Sequence, residues 1–370
     1  MPLLPCVAQD EVVADVPDRM ADDFVSVGLL IADRGEVLYS ILGHAALHMQ
    51  CPYYGLDYVY TYESEDVQGK VWRFLMNDLR MGMVAMPLSD YLESYRREGR
   101  GVSEYSLNLP PMVKTELWRV LDDKVAEGME LQYDYINRGC AISVVNSVNE
   151  AVKSTHKYNI LYPEWDESFD RSLGEIVYDD APHSWQIFVI STMVGGVVLN
   201  PNIPKEEKLV LPKDVVKVWS KTTISGVTII SDAPKELLPS LKEYQGDMFT
   251  PMHAALLLLL LVIISVFIKT DVVDWLVWVI YILLSLFVLW MVFSPLPGTG
   301  MTPLIILFNL LPIIFWKWRK KWGIWFMALS VVWCVVMLCA PHRLVDGTYI
   351  VLALVYALSA AKQSDICKFV

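Results

Sequence analysis

Apolar positions in the last third of this chain run almost unbroken, whereas those before residue 250 recur at intervals. From Met252 to Ile268, Trp275 to Phe293 and Trp322 to Ala340 nearly every side chain is apolar, over lengths close to the roughly 17 to 25 residues that a bilayer crossing needs. Thr302 to Trp316 and Val345 to Ala361 are also apolar. The first of these contains Pro303 and Pro312 and the second Asp346 near its start, so tilting, kinking or a partly interfacial position is expected. Backbone polar groups in hydrocarbon must be bonded within the segment. The pattern therefore predicts about five transmembrane helices within residues 248–361, or four if one of the two weaker stretches fails.

Before that point the periods are those of a mixed domain. Alternation predicts strands at Phe24–Ile31, Ala45–Met49 and Leu56–Tyr62. Helical spacing marks Pro87–Gly99, with Ser89 as its expected N-cap, then Pro111–Glu127, and then Cys140–Lys153 behind the turn-forming Asn137-Arg138-Gly139. Strands mixed with helices predict an α+β fold. The expected division is a tail at 1–23, a core at 24–155, the remainder of the soluble domain at 156–247, the membrane helices at 248–361 and a cytoplasmic tail at 362–370. Met1 to Ala8 resembles the last part of a secretory signal, with Cys6 and Ala8 as the small residues of a cleavage site. An acidic tail from Asp10 to Asp23 is the other reading.

Charge adds orientation. The net charge of −12 belongs to the first half, because nearly all the acidic residues lie at or before Asp247, so nucleic acid is excluded as a partner. Lys317, Arg319, Lys320 and Lys321 lie between two apolar runs and mark the cytoplasmic side. With five crossings that side also receives Lys269, Lys362 and Lys368, while the Ser294–Gly300 loop, Arg343 and the whole soluble half lie opposite. The N-terminal domain is then exported. Binding of an anionic lipid is a second use for the basic cluster, although topology alone accounts for it. Six cysteines with no CxxC spacing argue against a zinc site or disulfide framework, and no cofactor is expected. A Cys51–Cys140 disulfide in an oxidising compartment stays open.

Two residues suggest chemistry. His44 follows Gly43 at the head of a predicted strand, and Cys140 follows Gly139 at the head of a predicted helix. A thiol at a helix N-terminus meets unsatisfied N–H groups and the positive end of the dipole, which favour thiolate. An imidazole beside it can take and return the thiol proton, and the same amides can hold an oxyanion. Asp57, on the next strand, is the expected partner for the second ring nitrogen of His44. Tyr58 faces the other way, and His48 shares the face of His44 by period two. Each residue also has an ordinary explanation, since a lone Cys is usually packing and a lone His usually a satisfied hydrogen-bonding group.

Several blocks in order carry a resemblance: Tyr39-Ser40-Ile41-Leu42-Gly43-His44-Ala45-Ala46-Leu47, Leu56-Asp57-Tyr58-Val59-Tyr60, Tyr95-Arg96-Arg97-Glu98-Gly99-Arg100, Glu104 to Leu109, and Tyr133-Asp134-Tyr135 ahead of Cys140. The chain resembles the lipoprotein N-acyltransferase family of Bacteroides-type bacteria (Lnb), strongly from about Val25 to Val152. Weaker likeness continues through Ser184-Trp185, Gly195-Gly196, Lys208 to Pro212 and Phe293 to Pro312. The resemblance implies a papain-like domain in permuted order, with His44 ahead of Cys140 as the catalytic pair, in the bacterial inner membrane with a periplasmic N-terminal domain. It also implies N-acylation of the lipid-modified N-terminal cysteine of a lipoprotein, through a thioester on Cys140, with a membrane phospholipid or lipid-modified protein as donor. The family usually has Asp-Asn before the Cys and Thr after it, where this chain has Arg138-Gly139 and Ala141. Oxyanion binding here is expected from backbone groups. Two alternatives come from other classes, an exported papain-like peptidase or amidase using water as acceptor and a catalytically silent membrane scaffold. The Ser294–Gly300 loop, on the domain's side, is read either as part of a lipid entrance or as a plain Pro/Gly connector.

Overall fold

The computed structural model describes residues 24–364 apart from 37–39, 66–68, 129, 133, 135–137, 165–171, 181–182, 196–208, 243–244, 315–318 and 341. The expected tail at 1–23, Tyr133, Tyr135, Lys317 and Lys368 lie outside the described residues.

The alternating segments become strands. β1 (Ser26–Ala32), β2 (His44–Cys51), β3 (Leu56–Ser64), β4 (Arg80–Pro87), β5 (Val102–Ser106), β6 (Leu131–Gln132) and a later strand, Lys235–Leu238, form one antiparallel sheet. Three two-residue strands, β7 (Ile160–Leu161), β8 (Thr223–Ile224) and β9 (Val227–Thr228), make a second small sheet. With Lys235–Leu238 as β10, the large sheet runs β10-β5-β1-β2-β3-β4-β6. A short α1 (Val71–Leu75) precedes β4.

Period two sorts side chains to two faces. Val27, Leu29, Ala45, Leu47 and Tyr60 face α3 (Pro111–Glu127), α4 (Cys140–Ser154) and, later in the chain, α7 (Pro212–Trp219), whose Val215 and Trp219 complete this core. Leu30, Ala46, Val59 and Val102 face α2 (Leu88–Glu98) through Tyr91 and Tyr95. Ser89 is not the N-cap of α2. Pro87 occupies that position, already fixed in an extended φ/ψ, and the Ser89 hydroxyl donates to Asp90 instead.

Two helices, α5 (Leu173–Asp180) and α6 (Trp185–Val194), link the soluble and apolar parts. Of the apolar helices, α8 (Pro251–Ile268) and α9 (Val272–Phe293) are each long and apolar enough to cross a membrane, and much of their outer surface is exposed leucine, isoleucine and valine. The stretch read as Thr302–Trp316 is not one helix. It is broken into α10 (Leu304–Leu307) and α11 (Leu311–Ile314), because Pro312 has no N–H to offer the turn before it. Side chains from α9 and from the break itself bond backbone groups there. Tyr281 Oη donates to the carbonyls of Leu307 (3.1 Å) and Asn309 (2.9 Å). The Asn309 side chain donates to Ile306 O and accepts from Leu311 N. α12 (Arg319–Cys339) and α13 (Gly347–Gln363) complete the helices among the described residues.

The two parts touch at defined points. Ile41 and Leu42, just ahead of β2, pack in one apolar cluster with Ile176, Ile187 and Leu296, and with Phe287 and Trp290 from the last two turns of α9. Asn77 Nδ2 donates to Pro295 O at 3.1 Å. The Arg343 guanidinium pairs with Asp179 and stacks on the Tyr178 ring at 4.5 Å. At the far end of the bundle, Lys362 Nζ meets Asp274 Oδ2 at 2.7 Å.

Candidate active site

A tight turn delivers His44 to the sheet. Gly43 N–H donates to Ser40 O at 2.9 Å, Gly43 has φ +81°, and a Cβ there would lie 2.9 Å from Ala32 O. Only glycine fits without strain. His44 then opens β2 at the end of the sheet. Cys140 opens α4, with Gly139 in an extended conformation as N-cap and Gly139 O already accepting from Ser143 N at 2.9 Å.

The two side chains meet. Cys140 and His44 share a side-chain hydrogen bond, and the sulfur also takes the backbone N–H groups of Ala45 and Ala141. Burial pushes the Cys140 thiol up, but the His44 charge, its hydrogen bond and the two backbone N–H groups outweigh this and bring it below its ordinary value. Burial pulls His44 down. The Cys140 thiolate, by charge and hydrogen bond, and then the Glu63 carboxylate raise it to about 9, against the opposing Arg100 guanidinium. Both directions favour a thiolate–imidazolium pair, which titrates as a unit. The site is recessed but open, with 17% of the His44 side chain exposed.

The orienting group differs from the sequence expectation. Asp57 does not reach His44. In the β2–β3 register, Ala46 lies opposite Thr61 and Gln50 opposite Asp57, so Asp57 sits near the far end of β2. Thr61 takes its place, with Oγ1 2.7 Å from His44 Nε2. The Thr61 hydroxyl donates to Glu63 Oε1 at 3.0 Å, so it accepts the Nε2–H, which leaves Nδ1 for the sulfur. Thr61 and Glu63 were missed because period two puts 57, 59, 61 and 63 on one face, and only the register says which is adjacent.

His48 is excluded as a base. Its Nδ1 is 2.5 Å from Glu104 Oε1 and its Nε2 is 2.5 Å from Asp57 Oδ1. It is 5% exposed, and both nitrogens are committed. The hydrogen bonds and charges of the two carboxylates outweigh burial and raise its pKa. Gly28 makes room for this triad, since a Cβ there would meet Glu104 Oε1 at 2.4 Å.

The Cys51–Cys140 disulfide is ruled out by placement. Cys51 closes β2 and His44 opens it, so they lie roughly 20 Å apart at about 3.3 Å per residue, and Cys140 is at the His44 end. Both thiols are free. Buried Arg100 stands behind the pair, held by Asp33 O at 2.8 Å and Glu98 Oε2 at 2.9 Å and lying 4.5 Å over the Tyr95 ring. Among the described residues, no group of three or more His, Cys, Asp or Glu side chains is placed to hold a metal ion.

A sulfur nucleophile, an imidazole and a helix N-terminus in this order suit acyl transfer through a covalent intermediate. The family described as Lnb N-terminal periplasmic domain matches residues 19–167, which contain both His44 and Cys140. No curated protein and no solved structure matches the chain. The matched domain is periplasmic by its family description, and α8 and α9 supply the apolar length for a membrane protein. Residues 19–167 of the chain therefore carry the Lnb N-terminal periplasmic domain.

Proposed function

We propose that this protein is a membrane-bound lipoprotein N-acyltransferase working through a thioester on Cys140, with a papain-like domain in permuted order as its catalytic unit. The observation that carries the reading is where the pair stands. Ile41 and Leu42, three and two residues from His44, share an apolar cluster with Phe287 and Trp290 of α9, so the thiolate lies near the end of a membrane-length helix.

Substrates anchored by acyl chains do not leave the bilayer readily, since exposing each methylene costs about 0.8 kcal/mol. A site held at the membrane border meets them there. Cys140 thiolate attacks an ester carbonyl of a phospholipid or lipid-modified protein. The C–O bond breaks, and the His44 imidazolium gives its proton to the departing alcohol. Thr61 and Glu63 hold the ring in position through Nε2. The α-amino group of a lipid-modified N-terminal cysteine then attacks the thioester while His44 takes its proton. The amide leaves and the thiolate returns. Backbone N–H groups at the start of α4 serve the oxyanion, in keeping with Arg138-Gly139 and Ala141 around the nucleophile.

The membrane part reads as a multi-pass bundle in the inner membrane with five crossings, one of them the interrupted α10–α11 stretch. Discontinuous backbone at membrane depth is tolerated where neighbours bond it, and Tyr281 and Asn309 do so here. The contacts of Asn77 with Pro295 and of Arg343 with Asp179 support this reading of the two loops expected outside.

The test is the intact mass of a model lipoprotein co-expressed with wild type or with Cys140→Ser. A gain of one fatty acyl group that depends on the thiol supports the reading. An unchanged lipoprotein beside thiol-dependent amide cleavage would favour the exported hydrolase, and a gain that survives Cys140→Ser would overturn the mechanism.

A further inference from the structure

Away from Cys140, a second site is built where α6, α8, α9 and α13 meet. A groove of about 480 Å³ runs between α8 and α9, walled by Leu258, Leu261, Ile280 and Leu284 with Leu352 of α13 behind them. A separate cavity of about 280 Å³ adjoins its upper end, and the two share Phe188, Pro251 and Thr348. The second cavity is the more polar of the two, with Tyr178, His183, His253 and Asp346 in its walls. From Pro251 to Leu261 the groove descends about 15 Å along α8, half of the roughly 30 Å of bilayer hydrocarbon. That depth is one leaflet on the soluble domain's side.

The polar chamber carries both signs of charge. Three helices begin at it, each with a side-chain cap: α6 through Ser184, α8 through Thr250 and α13 through Asp346. Their N-termini bring positive dipole ends together, which suits a phosphate, with the His183 and His253 rings beside them. Asp346 is the independent mark of a ligand. It is 4% exposed, its Oδ1 accepts from Thr348 N at 2.7 Å, and its Oδ2 is buried with no hydrogen bond of ordinary length, the Tyr178 hydroxyl standing near the carboxylate. An unsatisfied buried carboxylate oxygen calls for a donor, and the helix ends around it call for an anion. A headgroup that pairs a phosphate with an ammonium answers both.

We infer that this groove and chamber bind one phospholipid with a primary-ammonium headgroup, its phosphate at the three helix N-termini, its ammonium on Asp346 Oδ2 and one acyl chain between α8 and α9. The chain gains little on leaving one apolar medium for another, so the headgroup sets the selectivity. The inference rests on α8 and α9 lying in a membrane and not on acyl transfer at Cys140.

Native mass spectrometry of the full-length protein, titrated with phosphatidylethanolamine or phosphatidylglycerol of equal chain length, tests it. Wild type should retain one phosphatidylethanolamine about tenfold more strongly than phosphatidylglycerol. Asp346→Asn preserves a good N-cap and should remove that preference while leaving phosphatidylglycerol unchanged. Equal retention of the two lipids by wild type, or an unaltered preference in Asp346→Asn, overturns the proposal. If Asp346→Asn does not fold, wild type is cross-linked with phosphatidylethanolamine carrying a diazirine on its acyl chain. Labelling concentrated on Leu258–Leu261 and Ile280–Leu284 supports the site, and equal labelling of the exposed α12 face overturns it. Lipid retention without acylation of the model lipoprotein would sink the proposed activity and leave this site standing.

Discussion

Thr61 Oγ1 stands 2.7 Å from His44 Nε2, on the strand next to it. That contact does the orienting that a carboxylate does in many triads, and Glu63 polarises it from behind by accepting the threonine hydroxyl. Thr61→Val keeps the shape and removes the acceptor. Acyl transfer should fall by about five- to tenfold, the effect of losing roughly 1 kcal/mol from one hydrogen bond, and Thr61→Ser should restore it. Asp57→Asn should leave the rate constant of acylation near wild type, which steady-state kinetics on a short-chain ester would check.

His48 should make stability fall with pH. Its pKa is raised in the folded domain by Glu104 and Asp57, so its stabilising charge is fully present below the unfolded value of about 6.5 and is lost as pH rises through the higher folded value. Urea unfolding of the full-length protein between pH 6 and pH 10 should show this loss. His48→Gln should be less stable at pH 6 and should lack the histidine-dependent part of the slope.

How much of this was legible in the sequence depends on range. The start of α4 at Cys140, the whole of α3 and strands β1 to β3 follow from local spacing, because a helix start and a period of two are properties of a few adjacent residues. The partner of His44 is not local. It depends on strand register, and Asp57, Thr61 and Glu63 are equivalent until that is known. Ser89 misled because α2 is capped by Pro87 and begins at Leu88, two residues too early for the serine to cap it. The α10–α11 break was foreshadowed by Pro312, but its rescue by Tyr281 spans two distant segments that no spacing connects. Likewise, α7 joins the core behind α4 from 60 residues on, without any periodic cue that it belongs there.

Gly43→Ala tests the turn that sets His44. Positive φ and the 2.9 Å approach to Ala32 O act together, so a loss of about 1 to 3 kcal/mol is expected, with reduced alkylation of Cys140 by iodoacetamide at pH 6.5 as the ring shifts. Gly55→Ala has φ +63° but meets nothing within 4 Å, and should cost less and leave alkylation unchanged.

Tyr281→Phe should destabilise the helical part by about 1 to 3 kcal/mol, since the carbonyls of Leu307 and Asn309 lose a common donor away from water. Thermal unfolding in detergent would measure it. An unchanged midpoint would show that the interrupted stretch draws its stability from elsewhere.

The central claim is that the Cys140 sulfur carries the acyl group. Protein purified from cells starved of lipoprotein acceptor should yield a Cys140 peptide heavier by one fatty acyl chain, released by neutral hydroxylamine and absent from Cys140→Ser. A peptide with an unmodified Cys140 thiol, recovered from protein that acylates lipoprotein at full rate once acceptor is restored, would contradict the account.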